Sequence, residues 1–174
     1  VGDFTGNGLD DILWRYDDAS NASDPLNGAL YEWQMNGTSV QNPGLLTQQP
    51  GSANWQVVGV GDFTGNGQDD ILFRYEDATN AADPLNGITY IDFMNGTQVT
   101  GGAPTQWQVD NSWVVAGIGD YYGAGKSDIL WQQVSTGDTY IWQMNGANVV
   151  SGALTSQQAG TGWTTQSGVS LHST

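Results

Sequence analysis

The chain has 174 residues, with 18 acidic side chains against three Lys and Arg, and a formal net charge of −15. Eight Trp, seven Tyr and four Phe supply a core for one ordinary domain and argue against disorder. The acidic balance argues against nucleic acid and anionic membrane surfaces as partners, because their phosphates attract Lys and Arg. No apolar run approaches the roughly 18 residues of a membrane span. Cysteine is absent, which excludes disulfides, thiolate nucleophiles and Cys-ligated metal centres.

Three copies of one segment make up the chain. Residues 1–40 match residues 60–99 at 29 of 40 positions, and a third copy starts at Gly119. The third copy is eight residues shorter, because Asp120 and Met144 are 24 positions apart whereas Asp3 and Met35 are 32 apart. Residues 1–174 are therefore expected to form a single repeat domain, with repeats at about 1–59, 60–118 and 119–174. Twelve of the 18 acids fall in the first two copies, at Asp3, Asp10, Asp11, Asp17, Asp18, Asp24, Asp62, Asp69, Asp70, Glu76, Asp77 and Asp83.

Each copy predicts four short β-strands. The first strand is rich in β-branched and aromatic residues and is predicted at residues 11–16, 70–75 and 128–133. The second strand is predicted at residues 29–35, where Tyr31, Trp33 and Met35 alternate with Leu30, Glu32 and Gln34. The third copy keeps this pattern as Tyr140, Trp142 and Met144. A weaker third strand is predicted at residues 38–40, 98–100 and 148–150. The fourth begins with Trp and is predicted at residues 55–59 and 113–117. We expect these Trp and Met stripes to form the core.

A hairpin turn is predicted after the second strand of every copy. Met-Asn-Gly occurs three times, at residues 35–37, 94–96 and 144–146. Asn-Gly between alternating segments is a strong hairpin signal, because both central residues of that turn need positive φ. The prediction is therefore a tight turn with Asn and Gly as its central residues.

Four antiparallel strands per repeat, with a Trp at a fixed place, are typical of β-propeller blades. The predicted fold class is all-β, with three four-stranded antiparallel propeller-type blades. Since propellers usually have about 4–8 blades, three blades form an incomplete propeller, completed by another chain or by missing sequence. A filament built by end-to-end addition is a further alternative. The chain begins without Met, as expected of a mature or excised piece, and Ser170 stands where Asp62 and Asp120 stand in the other copies, so the next acidic loop is missing.

An acidic loop precedes the first strand of each copy. It reads Asp-Phe-Thr-Gly-Asn-Gly-Leu-Asp-Asp at residues 3–11, and residues 62–70 repeat it with Gln in the seventh position. Oxygen-bearing side chains at alternate positions suit Ca²⁺, which takes about 6–8 oxygen ligands. Gly8 and Gly67 permit the sharp turn that returns the last carboxylate to the first. Two carboxylates per loop would balance the charge of the ion and would repel each other without it.

These motifs resemble the FG-GAP/VCBS-type repeat of secreted bacterial and integrin-like β-propellers. The resemblance covers essentially the whole chain and rests on the acidic loop, the Trp-x-Met-Asn-Gly segment and the Trp strand at constant offsets. In that family the loop reads Asp-x-Asp-x-Asp-Gly-x-x-Asp and binds calcium. The ligands that the resemblance implies are Asp3, Thr5, Asn7, the carbonyl of Leu9 and Asp11 in the first loop, and Asp62, Thr64, Asn66, the carbonyl of Gln68 and Asp70 in the second.

The sequence departs from the family pattern where Thr and Asn replace Asp at the third and fifth positions. Fewer charged ligands suggest an affinity of about 10⁻⁴–10⁻³ M, as in extracellular modules. Such a site needs a calcium-rich medium, so the predicted location is extracellular or the cell surface, as a secreted protein. The third loop keeps Asp120 and Asp128 but has Tyr122 and Ala124 where oxygen ligands belong, and Lys126 adds a cation nearby. For all three loops the alternative is an acidic Asx-rich turn that needs no metal.

Catalysis is not predicted. The one His in the chain, His172, has no repeated partners for a triad, and the carboxylate pairs lie within one loop rather than across a cleft. We expect a calcium-binding module with a structural or adhesive role, which self-associates or belongs to a larger parent chain. The alternative is a propeller-type lectin, in which Trp33, Trp107 or Trp142 would stack on a glycan. An extracellular protein is the other expected ligand.

The acidic insertions at residues 17–25 and 76–84 are interpreted as solvated loops, with a second cation site or a ligand-binding loop as the alternatives.

Overall fold

The computed structural model describes residues 1–21 and 23–166; Ser170 and His172 lie outside the described residues. Among the residues described, no helix has the length and apolar character needed to cross a membrane. The regular structure of the described part is entirely β, as predicted. In chain order the strands are β1 (Ile12–Arg15), β2 (Leu30–Trp33), β3 (Met35–Asn36), β4 (Ser39–Val40), β5 (Gly44–Leu45), β6 (Trp55–Gly61), β7 (Asp70–Tyr75), β8 (Thr89–Asn95), β9 (Gln98–Pro104), β10 (Trp113–Gly119), β11 (Asp128–Gln133), β12 (Thr139–Asn145) and β13 (Asn148–Leu154).

Two of the sheets are antiparallel and four-stranded. With the sheets numbered along the chain, and the sheet that contains β1 as the first, the second sheet has the order β6-β7-β8-β9 and the third has the order β10-β11-β12-β13. Each begins with a Trp strand, because Trp55 pairs with Tyr75 and Trp113 pairs with Gln133. The Trp strand that ends one sequence repeat therefore pairs with the first strand of the next repeat. Consequently, the acidic loop is the hairpin connection between the first two strands of a sheet.

The region of the first repeat is divided, and the prediction of a four-stranded sheet is wrong there. The first sheet has the order β1-β2-β5, while β3 and β4 form a separate two-stranded ribbon. Pro43 interrupts the outer strand between β4 and β5, at the position where Gly102 pairs with Asp92 in the second sheet. Proline has no backbone N–H to donate to a ladder, so pairing stops at this residue. Of the pairing between β6 and β7, the first region has the isolated bridge between Gly2 and Asp11, which matches the pair of Gly61 and Asp70.

The hairpin turns differ from the predicted Asn-Gly turn by one residue. Asn95 pairs with Gln98, so the central residues of that turn are Gly96 and Thr97. The glycines at the three turns have φ of 60°, 56° and 59°, and none of the described non-glycine residues has positive φ. Glycine alone in the first central position is the pattern of a type II′ turn, in which Asn ends the strand instead of entering the turn.

Two apolar clusters hold the sheets together face to face. One contains Phe4, Leu30, Leu46, Ile71, Phe73 and Met94 and lies between the first and second sheets. The other lies between the second and third sheets and contains Phe63, Leu72, Ile91, Ile129, Trp131, Trp142, Met144, Ala147 and Val149. Because neighbouring residues of a strand point to opposite faces, β7 sends Ile71 to one cluster and Leu72 to the other. The predicted core role is confirmed for Trp131, Trp142, Met94 and Met144, whereas Trp14 and Trp163 are exposed.

Candidate metal site

In the first loop, residues 3–11, the Asp3 carboxylate lies inside the turn. Its Oδ1 accepts a hydrogen bond from the backbone N of Asn7 at 3.0 Å, and its Oδ2 accepts one from Gly8 at 2.7 Å. The Thr5 hydroxyl lies 3.3 Å from the same carboxylate, and Asn7 Oδ1 accepts the backbone N–H of Leu9. Gly8 has φ of 83°, as its predicted role in the sharp turn requires. The loop thus brings three of the predicted ligand side chains into one turn.

The second loop, residues 62–70, repeats this geometry. Asp62 accepts hydrogen bonds from the backbone N of Asn66 at 3.1 Å and of Gly67 at 2.8 Å, and the Thr64 hydroxyl lies 3.3 Å from its Oδ1. Asn66 Oδ1 accepts the backbone N–H of Gln68 at 2.8 Å. The matching bonds show that residues common to the two loops determine the local shape.

The third loop, residues 120–128, adopts the same turn without the Thr and Asn side chains. Asp120 accepts the backbone N–H groups of Ala124 and Gly125, each at 2.8 Å. The first carboxylate and the glycines are therefore sufficient to shape the loop. It follows that the side-chain oxygens at the third and fifth positions of the other two loops are not needed for folding.

The last carboxylate of each loop ties the loop to the hairpin that follows the next strand. Asp11, Asp70 and Asp128 are all buried. Each accepts a hydrogen bond from a methionine backbone N–H, at 2.9, 3.0 and 2.9 Å for the pairs Asp11–Met35, Asp70–Met94 and Asp128–Met144. This structural role is not among the predictions from the sequence, although the constant Met-Asn-Gly segment is a signal for it.

The second oxygen of this carboxylate has a different environment in the first loop. Asp70 Oδ2 accepts the backbone N–H of Phe63 at 3.1 Å, and Asp128 Oδ2 accepts that of Tyr121 at 3.0 Å. Asp11 Oδ2 is buried and has no donor at normal hydrogen-bond geometry, although the backbone N–H of Phe4 lies nearby. A buried carboxylate oxygen without a donor is costly, and a bound cation would remove that cost.

The last carboxylate of each loop has a raised pKa, to which the first carboxylate contributes. Burial raises the pKa of Asp11, and the charge of Asp3 raises this pKa further. Burial likewise raises the pKa of Asp70 to about 7, with a smaller contribution from Asp62. In the third loop burial raises the pKa of Asp128, and Asp120 adds to it. A divalent cation between the carboxylates would reverse this repulsion.

The donor set is made of oxygen and is only partly charged. Within residues 1–21 and 23–166, no group of three or more His, Cys, Asp or Glu side chains is arranged to hold a metal ion. A cation in these loops must therefore take its remaining ligands from hydroxyl, amide and carbonyl oxygens, such as those of Thr5 and Asn7. Such hard, neutral oxygens fit Ca²⁺ and do not fit soft transition metals.

The seventh position of each loop connects it to the loop before it. The Gln68 side-chain amide reaches back to the Thr5 carbonyl at 3.3 Å. Lys126 was expected to place its charge beside the third loop, but its side chain runs over the second loop. A Cβ built on Gly65 would lie 3.0 Å from Lys126 Cγ. Backbone bonds make the same connections, since the Asp3 carbonyl accepts the N–H of Asp69 at 2.8 Å. The three loops form a row that the sequence analysis did not foresee.

The acidic insertions have the geometry of Asx turns. Asp18 Oδ1 accepts the hydroxyl of Ser20 at 2.6 Å, and Asp77 Oδ1 accepts that of Thr79 at 2.6 Å. These hydrogen bonds lower the pKa of both carboxyls. The side chains thus bind their own loops, as expected for solvated turns.

The three Trp residues proposed to stack on a glycan are not equivalent. Trp142 is 3% exposed and packs against Trp131, so it presents no face for stacking. Trp107 is 41% exposed and meets Trp142 edge-on. Trp33 lies edge-on to Trp14. Sugar binding at Trp33 or Trp107 stays a prediction.

Comparison with protein-family models, curated proteins and solved structures finds no match for this chain. The resemblance to FG-GAP/VCBS-type repeats stays a prediction from the motifs. The function proposed below depends on the chemistry of the loops and on how the three loops differ.

Proposed function

We propose that this protein is a calcium-binding β-propeller repeat module with a structural or adhesive role outside the cell. Each four-stranded sheet corresponds to one blade, and the first and second loops hold Ca²⁺. Asp3 with Asp11, and Asp62 with Asp70, would neutralise the ions, while the Thr and Asn oxygens would complete the ligand sets.

The comparison with the third loop carries this proposal. Asp120 receives the same backbone hydrogen bonds with Ala124 and Tyr122 in the place of Asn and Thr. Thr5 and Asn7 are therefore not required for the turn, yet both place hard oxygens beside a carboxylate. Neutral oxygens next to a carboxylate pair are the ligands that a hard cation prefers.

An ion in these loops would act on the stability of the whole row. Asp11 and Asp70 bind the hairpins at Met35 and Met94, so a cation that orders these carboxylates also orders the hairpins. Since consecutive loops are hydrogen-bonded to each other, the effect would extend from one sheet to the next. The calcium sites are therefore structural in this proposal.

The two ends of the stack of sheets support a larger assembly. In the second sheet Ile71 and Phe73 are buried by the first sheet, but the equivalent Trp14 of the first sheet is 46% exposed. At the other end, the third sheet has an open groove of about 660 Å³ lined by residues that include Leu130 and Ile141. Another sheet of the same kind would cover either face, supplied by a second copy or by a larger parent chain.

Thermal unfolding with and without calcium tests the proposed function. Calcium at 10 to 100 times a Kd in the predicted range would stabilise the fold by about 1.5–2.7 kcal/mol per site. We expect the melting temperature to rise by several degrees on replacing EGTA with excess calcium. The double variant Asn7→Ala with Asn66→Ala should lose this rise, because it copies the third loop and keeps the turn.

The acidic insertions provide a matched control. Asn21→Ala with Asn80→Ala removes one amide from each insertion and should leave the calcium-dependent rise intact. An unchanged melting temperature in the wild-type protein would rule out the calcium function, and loss of the rise only in the control would move the site to the insertions.

A further inference from the structure

The first and second loops have the same types of predicted side-chain ligand at the same positions, but their surroundings differ. Their sequences differ only at the seventh position, which is Leu9 in one and Gln68 in the other. The difference lies in the sheet beneath each loop and in the side chain above it. It bears on which of the two loops binds a cation more tightly.

Beneath the first loop lies a buried glutamate that the other repeats lack. Glu32, on β2, pairs with Leu13, two residues along the chain from Asp11, so Glu32 and Asp11 lie diagonally on the same face. Both side chains are fully buried. The equivalent residues in the second and third sheets are Ile91 and Ile141.

Three of the four oxygens of these two carboxylates have no close donor. Both oxygens of Glu32 and the Oδ2 of Asp11 are buried without a donor at normal hydrogen-bond geometry. Burial raises the pKa of Glu32 to about 7, the neighbouring Gln34 side chain lowers this pKa, and the charge of Asp11 raises it. Buried charges of one sign are stable only when a proton or a cation compensates them. Glu32 thus places a third carboxyl group beside a loop that already has two.

Above the second loop the charge has the opposite sign. The Lys126 stem lies over Gly65, and its Nζ donates to Asn145 Oδ1 at 2.6 Å. The first loop has a neutral residue in this place, because Gln68 Cγ lies 3.1 Å from the position of a Cβ on Gly6. A cation entering the second loop therefore meets a lysine that is absent from the first.

We propose that the first loop binds a divalent cation more tightly than the second, because Glu32 adds negative charge beneath the first loop and Lys126 adds positive charge above the second. This inference rests on the proposed calcium function. Glu32 acts as a charge next to Asp11, and the ligand set of the loop is the same in both repeats. At limiting calcium the first loop fills before the second.

Calcium titration of full-length proteins with one loop silenced tests this order. Asn66→Ala leaves the first loop intact and Asn7→Ala leaves the second, and calorimetry gives the Kd of each. We expect the Asn66→Ala protein to bind calcium about tenfold more tightly than the Asn7→Ala protein does, since charge at such sites changes their affinity over several orders of magnitude. Terbium luminescence excited through the Trp side chains gives a second readout.

Exchanging the surrounding residues then tests the cause. In the Asn66→Ala background, Glu32→Gln and Glu32→Ile should both weaken binding severalfold; Glu32→Gln keeps the shape if Glu32→Ile disturbs the sheet. In the Asn7→Ala background, Lys126→Gln should strengthen binding, while the charge-preserving Lys126→Arg should not.

Two outcomes distinguish failure of the proposed order of filling from failure of the proposed calcium function. Equal affinities of the two single-loop proteins, or no effect of Glu32→Gln and Lys126→Gln, would overturn the proposed order while leaving calcium binding in place. If the wild-type protein shows no calcium heat and no terbium signal, the proposed function fails and the order of filling fails with it.

Discussion

The first and second repeats match at 29 of their first 40 positions, yet they fold differently. The second sheet is continuous and four-stranded, while the first region is split into a three-stranded sheet and a ribbon. The acidic loops, where the sequences agree, share the hydrogen bonds that close the turn on the first carboxylate. Pro43 stands at the break, where the second sheet has Gly102, and other positions within the sheets also differ, such as Trp33 in the place of Asp92. The shape of the acidic loops is determined by residues close in sequence, whereas the continuity of a sheet can depend on one residue, such as Pro43, in an outer strand.

The largest expected difference between the two repeats concerns an arginine that they share. Arg74 is 1% exposed, lies over the Trp131 ring and donates to the carbonyls of Trp113 and Asp110. Its equivalent, Arg15, donates to the Trp55 carbonyl but has a more exposed side chain. Arg74→Ala should lower the free energy of unfolding by about 3 kcal/mol, and Arg15→Ala by about 1 kcal/mol, because buried carbonyls left without donors cost more.

Urea unfolding followed by Trp fluorescence at constant calcium measures both losses. Arg74→Gln is the matched control, since Gln132 makes the corresponding bond to the Trp163 carbonyl in the third sheet at 2.8 Å. This variant should lose less stability than Arg74→Ala. Equal losses at Arg15 and Arg74 would contradict the importance of burial.

The next effect is the pH dependence that Asp92 gives to the second repeat. Burial raises the pKa of Asp92 to about 6, and the first repeat has Trp33 at this position. Because folded Asp92 holds its proton to a higher pH than the unfolded chain does, its contribution favours folding at acid pH. This contribution is lost as the pH rises from about 4 to about 6, on the order of 2 kcal/mol.

Asp92→Asn should remove this part of the pH dependence. Chemical denaturation of the wild-type and variant proteins from pH 4 to pH 7 gives the difference directly, and other titrating groups cancel. If the difference in unfolding free energy does not change over this range, Asp92 is not a buried titrating group.

The smallest effect concerns the break in the first region. Pro43→Ala supplies a backbone N–H at the position where Gly102 pairs in the second sheet. The net change in stability should stay below about 1 kcal/mol, because the new hydrogen bond is offset by a more flexible unfolded chain. Hydrogen exchange of the amides in residues 39–45 should nevertheless slow towards that of residues 98–104. Unchanged exchange would show that Pro43 is not the cause of the break.

Several parts of the candidate site could be predicted from the sequence because they depend on neighbours along the chain. The Asp3 turn uses donors four and five residues away, and the third loop repeats it despite its substitutions. The hairpin position was predicted, but the assignment of Asn to the turn was wrong by one residue. The outer strands β9 and β13 are longer than predicted, because pairing across the sheet extends them beyond the alternating segment.

The sequence by itself determined the repeats, the all-β strands and the shape of the acidic loops, because these depend on side-chain alternation and on hydrogen bonds within a few residues. Only the tertiary structure decided where the charges act. Gln68 reaches Thr5 across 63 positions, and Arg74 reaches Trp113 across 39. Lys126 lies over the second loop, and Glu32 is buried beside Asp11. These placements depend on which sheets pack together, and they distinguish two loops whose predicted ligands are identical.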